Sequence, residues 1–148
     1  MKVEVTAAII RQGNKVLICQ RDSNDDIPDL WEFPGGKVEP GESLEDCIRR
    51  EIQEELELQI EPQAIFGTTT YDYRDRQLHF TFYTAVIKSG TMVLNVHQDA
   101  RWITLQELEN FSFMPGDVPV VERLIEAALE ETWTEMPFAF EIGEVGMD

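Results

Sequence analysis

The chain has 148 residues, 43% of them hydrophobic, which suffices for one hydrophobic core and leaves no room for a second domain. Twelve basic residues against 29 acidic ones give a net charge of −17, which opposes electrostatic binding to nucleic-acid polymers and to anionic membranes. Cys19 and Cys47 lie in apolar stretches without C-x-x-C spacing, so they read as reduced core residues rather than as a bridge or a zinc site. Residues 1–6 carry acidic and polar groups where a secretory signal needs an apolar core, and no apolar run reaches the length of a membrane span. A cytoplasmic compartment is therefore expected.

Residues 3–10 and 15–21 are β-rich runs separated by Arg11-Gln12-Gly13-Asn14, which predicts a hairpin. The polar stretch 22–29 reads as a loop. Trp31-Glu32-Phe33 is a short extended piece before Pro34, whose ring keeps the preceding residue out of a helix. In Pro34-Gly35-Gly36 the glycines can take positive φ and bring backbone carbonyls close to an ion or ligand where a Cβ would clash. A loop follows, then a helix over 44–56, with Ser43 just before the apolar pattern and Asp46 three residues on, as in a capping box. Two strands are expected over 61–73 and 77–88, joined by the charged turn Arg74-Asp75-Arg76, with Arg101-Trp102-Ile103 as a later short strand. The last helix, over 118–130, carries Val121, Leu124, Ile125, Ala128 and Leu129 at helical spacing and would cover the other face of a mixed sheet. The tail, 132–148, mixes Trp133, Phe138, Phe140 and Ile142 with acids and glycines. It reads either as a loosely ordered terminus or as a segment packed on the domain or on a neighbouring subunit of a homodimer.

The acids of the first helix repay attention for their placement. At roughly 100° per residue, Glu51, Glu54 and Glu55 share one arc with Leu44, Cys47 and Ile48, so they look towards the protein. Glu45, Arg49, Gln53 and Glu57 fall mostly outside that arc and form an ordinary wet face. Three partly buried carboxylates repel one another. Either their pKa values rise, or a hard cation such as Mg²⁺ sits among them and takes the remaining ligands from substrate phosphates. A helix with a merely mixed face is the plainer alternative.

From Gly36 onward the run resembles the Nudix box, G-x5-E-x7-R-E-U-x-E-E-x-G-U with U aliphatic, matched by Gly36, Glu42, Arg50, Glu51, Ile52, Glu54, Glu55 and Leu58. The penultimate glycine is Glu57 here, at a helix exit where glycine takes a left-handed conformation. The resemblance implies an α/β fold, a Nudix-type α/β/α sandwich with a mixed sheet over residues 1–131. It also implies hydrolysis by water at phosphorus of a nucleoside diphosphate linked to a further group, dependent on Mg²⁺ or Mn²⁺. Carried over by position, Glu51, Glu54 and Glu55 are the expected metal ligands together with the Gly35 carbonyl. Glu51 is then the expected general base and Glu54 its rival. Arg50 would orient these acids, and Glu42 would support the site through bound water; both could equally be ordinary helix electrostatics.

Outside the box, Trp31 to Lys37 resembles the segment of MutT-type enzymes, which cleave nucleoside triphosphates, oxidised guanine nucleotides and CTP among them, to monophosphate and pyrophosphate. Phe113-Met114-Pro115-Gly116-Asp117-Val118-Pro119 resembles their base-reading loop. Arg21, Phe33 and Asp117 are accordingly the expected substrate-binding residues. The plainer readings are a surface charge for Arg21 and a helix N-cap for Asp117. An ionised Asp117 would accept from guanine N1–H and N2–H or cytosine N4–H. A further glutamate that MutT-type enzymes bring to the metal falls at Val96, so that ligand is missing unless His97 or Asp99 supplies it. Two alternatives remain: a dinucleoside polyphosphate substrate, suggested by Tyr73, and a catalytically idle nucleotide-binding regulator, suggested by Val96.

Overall fold

The computed structural model describes residues 1–130 and 140–145. Strand β1 (Lys2–Gln12) turns through Gly13-Asn14 into β2 (Lys15–Arg21), as the hairpin signal requires. The pairing of those two strands is brief, Arg11 with Val16 and Gln12 with Lys15, because β1 has other neighbours. It runs parallel to β6 (Arg76–Gly90) from Lys2↔Gln77 to Ile10↔Ala85 and antiparallel to a short β4 (Gly35–Lys37). The sheet order is β3-β2-β1-β6-β5-β8, with β4 added on β1 and β7 (His97–Thr104) on β2; β3 is Trp31–Glu32, β5 is Leu58–Tyr73 and β8 is Phe140–Val145. Strand β2 has its expected limits, whereas β1, β6 and β7 outrun their sequence patterns at both ends and β5 at its start, since cross-strand hydrogen bonds carry polar residues that alternation alone leaves out.

Alternation places both faces of the central strands in the core. Ala7, Ile9, Val16 and Ile18 join Phe82 under helix α2 (Val118–Leu129), while Ala8, Ile10, Leu17 and Cys19 join Ile48, Ile52 and Leu56 of helix α1 (Leu44–Leu56). This is the expected α/β/α sandwich, with both cysteines free and buried. Helix α1 has the predicted limits. The Asp46 amide donates to Ser43 Oγ at 3.1 Å, and Glu57 adopts the left-handed exit, φ 56° and ψ 34°, at a cost of about 1 kcal/mol relative to glycine. The loop before β7 satisfies the exposed carbonyls of that end: the Val93 amide donates to Leu56, the Asn95 amide to Glu55, and Asn95 Nδ2 to Glu54.

Three expectations are corrected. The stretch after Pro34 is the strand β4 rather than a loop, and its two glycines do not have positive φ; they are needed for close approach instead. Glu54 is exposed, so Glu51, Glu54 and Glu55 are not three partly buried acids. Asp117 is not a side-chain cap: it has helical dihedrals, its side chain bonds no amide of the first turn, and Pro119 lies there. In the tail, the backbone of β8 pairs in parallel with β5 from Gly67↔Phe140 to Tyr71↔Val145. The packing expected of Trp133, Phe138, Phe140 and Ile142, and the homodimer reading, lie outside the described side chains. Among the described residues, no helix is long and apolar enough to cross a membrane.

Candidate active site

Strand β4 is pressed between β1 and helix α1, and each contact explains one of its glycines. A Cβ on Gly35 would run into the Thr6 carbonyl, and one on Gly36 would meet the carboxylate of Glu51. Cys47 fills the space beneath, its Sγ 3.2 Å from Thr6 Oγ1 and 3.6 Å from the Gly36 carbonyl. One turn on, Glu51 is only 14% exposed, and burial raises its pKa despite Arg50 alongside. Glu55 is pushed up to about 9, first by burial and then by the charges of Glu51 and Glu32, against a hydrogen bond from the Gly35 backbone. Its Oε1 is buried and has no hydrogen-bond partner.

Arg50 organises the outer acids. Its Nε and Nη2 donate to Glu42 at 2.7 and 2.9 Å, Nη1 donates to Glu54 at 2.8 Å, and Nη2 also reaches the Lys37 carbonyl at 3.1 Å. The guanidinium holds Glu42 down at about 2. Glu54, 58% exposed, is drawn outward by the same guanidinium. Among the described residues, no three His, Cys, Asp or Glu side chains are gathered as a ready-made metal site. The donors nonetheless suit a divalent cation: hard carboxylate oxygens on Glu51 and Glu55, one of them orphaned and buried, beside a backbone that comes close only because it lacks Cβ atoms.

These groups open into a cleft of about 430 Å³. Across it, Asp117 Oδ2 accepts the Phe33 amide at 2.8 Å; burial and then Glu32 raise the Asp117 carboxyl well above its usual range. Phe33 stacks on Phe113, their centroids 5.9 Å apart. Arg21 also lines the cleft and donates to Glu32 and to the Ile27 carbonyl. The cleft thus unites Gly35, Glu55, Arg21, Phe33 and Asp117 of the expected residues; Glu51 lies behind Gly36, while Arg50, Glu42 and Glu54 form the outer network.

Position 96 carries no oxygen donor: Val96 stands at the cleft wall, 51% exposed. Its two suggested substitutes are engaged elsewhere, His97 with Glu32 at 2.9 Å and Asp99 with Arg101 at 3.1 Å. Sequence reasoning passed over Glu32, Lys37 and Arg76, all of which line the cleft. Local pattern gives Glu32 and Lys37 no role beyond membership of the Trp31 to Lys37 segment, and Arg76 none beyond the charged turn.

The family model described as the NUDIX domain matches residues 1–124. The chain belongs to the Nudix family. Its curated relatives include the CTP pyrophosphohydrolase of Escherichia coli (strain K12), 33% identical over 120 residues, 81% of this chain and 89% of that one. Another is the 8-oxo-dGTP diphosphatase of the same organism, 30% identical over 124 residues, 83% of this chain and 96% of that one. Among solved structures, the solution structure of the E. coli ORF135 protein superposes with a TM-score of 0.76 at 30% identity, covering 87% of this chain and 92% of that one. The MutT protein from Methanosarcina mazei Go1, at 22% identity, shares the fold with the same TM-score and coverage of 86% and 95%. The chain is thus a Nudix hydrolase acting on phosphoric anhydride bonds, in a family that uses a nucleotide substrate and a divalent metal ion.

Proposed function

We propose that this Nudix hydrolase cleaves a nucleoside triphosphate, of the 8-oxo-dGTP, dGTP or CTP type, to the monophosphate and pyrophosphate. The observation that carries the reading is one cleft lined together by the carboxylate of Glu55, the cations Arg21, Lys37 and Arg76, and the Phe33–Asp117 pair. Phosphate, metal and base therefore each have matching chemistry. The names of the two E. coli relatives support the same substrate class.

Glu51, Glu55 and the Gly35 carbonyl would hold the ion, Mg²⁺ with Mn²⁺ as a substitute, and Glu54 would join them by swinging from Arg50. Bound there, the ion supplies charge neutralisation at the phosphate oxygens and a lowered pKa for water. Glu51 takes the proton of the attacking water as the anhydride bond breaks, leaving pyrophosphate and nucleoside monophosphate. Its raised proton affinity suits a base better than Glu54, whose charge Arg50 already satisfies at 2.8 Å. Glu42 fixes Arg50, and Arg50 sets the positions of the acids. Arg21 contacts phosphate, Phe33 packs against the base, and Asp117 reads its polar edge with the oxygen that Phe33 leaves free. Tyr73, which had suggested a dinucleoside polyphosphate, has its hydroxyl committed to Asp26 at 3.0 Å.

The test is a screen of nucleotides with Mg²⁺ and with Mn²⁺, the products separated by chromatography. Pyrophosphate should be the primary product and EDTA should stop its release. Turnover insensitive to EDTA, or orthophosphate as the first product, overturns the reading, as would inactivity on every nucleoside triphosphate.

A further inference from the structure

A chain of polar contacts links the β5–β6 hairpin to residues that line the cleft. It begins at the β5–β6 hairpin, where the Tyr73 hydroxyl donates to Asp26 Oδ2 at 3.0 Å while Arg74 lies 4.8 Å over the Tyr73 ring. Asp26 Oδ1 in turn accepts from Arg21 Nη2 at 3.4 Å, and Asp25 lies 3.7 Å from the same nitrogen. Arg21 Nη1 continues to Glu32 at 3.2 Å, and Glu32 to His97 at 2.9 Å. The middle of the 22–30 loop is thereby tied through Arg21 to β2, β3 and β7 and through Asp26 to the hairpin that carries Arg76, with Asp25 lining the cleft.

The links differ in quality. Arg21 is held by Glu32 of β3 and by the carbonyl of Ile27, the half-buried residue of the same loop, at 2.8 Å from Nε. Its outer nitrogen, Nη2, is held by carboxylates of an exposed loop over longer distances. A guanidinium has five donors, so an incoming phosphate can take the outer edge without disturbing the inner one. That edge is occupied by an anion of the protein's own in a chain whose substrate is itself an anion.

We propose that Asp26 is an internal stand-in for substrate phosphate: it occupies the outer edge of Arg21 in the free protein and is displaced when polyphosphate binds, with Tyr73 setting how firmly it is held. This rests on the reading of Arg21 as a phosphate contact. The strap raises KM without touching the chemical step, and it rejects ligands too weakly charged to outcompete a carboxylate.

Calorimetric binding of inorganic pyrophosphate with Mg²⁺ tests the strap independently of which nucleotide is the substrate. Asp26→Asn should tighten its Kd about two- to fivefold, the range an exposed ion pair commands. Tyr73→Phe should tighten it by less, and the double variant should gain nothing over Asp26→Asn, because Tyr73 acts through Asp26. With a nucleoside triphosphate, KM should fall in the same proportion at unchanged kcat. Asp75→Asn removes one exposed charge from the same hairpin and should change neither quantity. An unchanged or weakened Kd in Asp26→Asn overturns the proposal, as does an equal gain in Asp75→Asn, which would reduce the effect to bulk charge. A parent inactive on nucleoside triphosphates, with Asp26→Asn still tightening pyrophosphate, would break the functional reading and leave the strap standing.

Discussion

Glu55 and Asp117 face the same cleft, and burial raises the pKa of both, yet their surroundings differ in kind. Glu55 has Glu51 and Glu32 for neighbours and keeps a buried oxygen without a partner. Asp117 shares the Glu32 charge with it, but the Phe33 amide at 2.8 Å and the Arg21 charge both oppose that repulsion. Both acids have a backbone donor, Gly35 for Glu55 and Phe33 for Asp117, but the one crowded by two carboxylates with an oxygen left unsatisfied calls for a cation, whereas the one with a guanidinium in its field is set up to hydrogen-bond a neutral ligand. The degree of burial alone does not separate the two roles; the partners do.

The largest expected effect would break the acid end of this contrast. Glu51→Gln keeps the shape against Gly36 but removes charge and basicity, and should lower kcat on the order of 10²-fold or more, comparable with the loss of other preorganised electrostatic groups. Near-native turnover would mean that the base is misassigned. Glu54→Gln, at the exposed partner of Arg50, should cost less, about tenfold; a loss exceeding that of Glu51→Gln would exchange their roles.

Glu55→Gln sharpens the contrast from the side of stability. Without metal, at neutral pH, the amide relieves a buried acid and should raise Tm. Millimolar Mn²⁺ should stabilise the parent by preferential binding to the folded state and stabilise the variant markedly less. Equal metal-induced shifts in Tm would take Glu55 out of the ion site.

The smallest effect belongs to Asp117. Because the folded carboxyl has its pKa above the unfolded value, the unfolded chain releases this proton first as pH rises. Stability from this group is therefore complete below about 3.8 and declines upward until the folded carboxyl ionises too. Asp117→Asn keeps an oxygen for the Phe33 amide and cannot ionise, so its Tm should exceed that of the parent by a few degrees at pH 7 and converge with it on acidification. The same variant should reorder 8-oxo-dGTP, dGTP, CTP and UTP by kcat/KM. An unchanged order would remove Asp117 from base reading; a Tm gap that widens in acid would mean that the carboxyl is ionised in the fold.

What was legible beforehand follows the range of the interactions involved. Helix α1 could be placed to its end residues because Ser43, Asp46, the apolar arc and Glu57 act within a turn or two of one another. Its inner acids followed from azimuth, and the box motif then identified the family. Azimuth went astray at Glu54, since a side chain on the inner edge of a helix is free to turn towards a cation, and Arg50 four residues earlier supplied one. The N-cap reading of Asp117 failed for the opposite reason: the local amides lost to a backbone donor 84 residues away.

By itself, then, the sequence determined the strands of the first hairpin, helix α1 and the glycine–carboxylate motif, all products of short-range periodicity and chain stiffness. Only the tertiary structure decided which carboxyl groups are desolvated, that His97 holds Glu32 rather than replacing an acid at Val96, and that Tyr73 reaches Asp26 of the 22–30 loop. Those outcomes depend on strand register. The parallel pairing of β1 with β6 and the antiparallel pairing of β2 with β7 bring together residues that no local pattern links, and burial between them sets each charge.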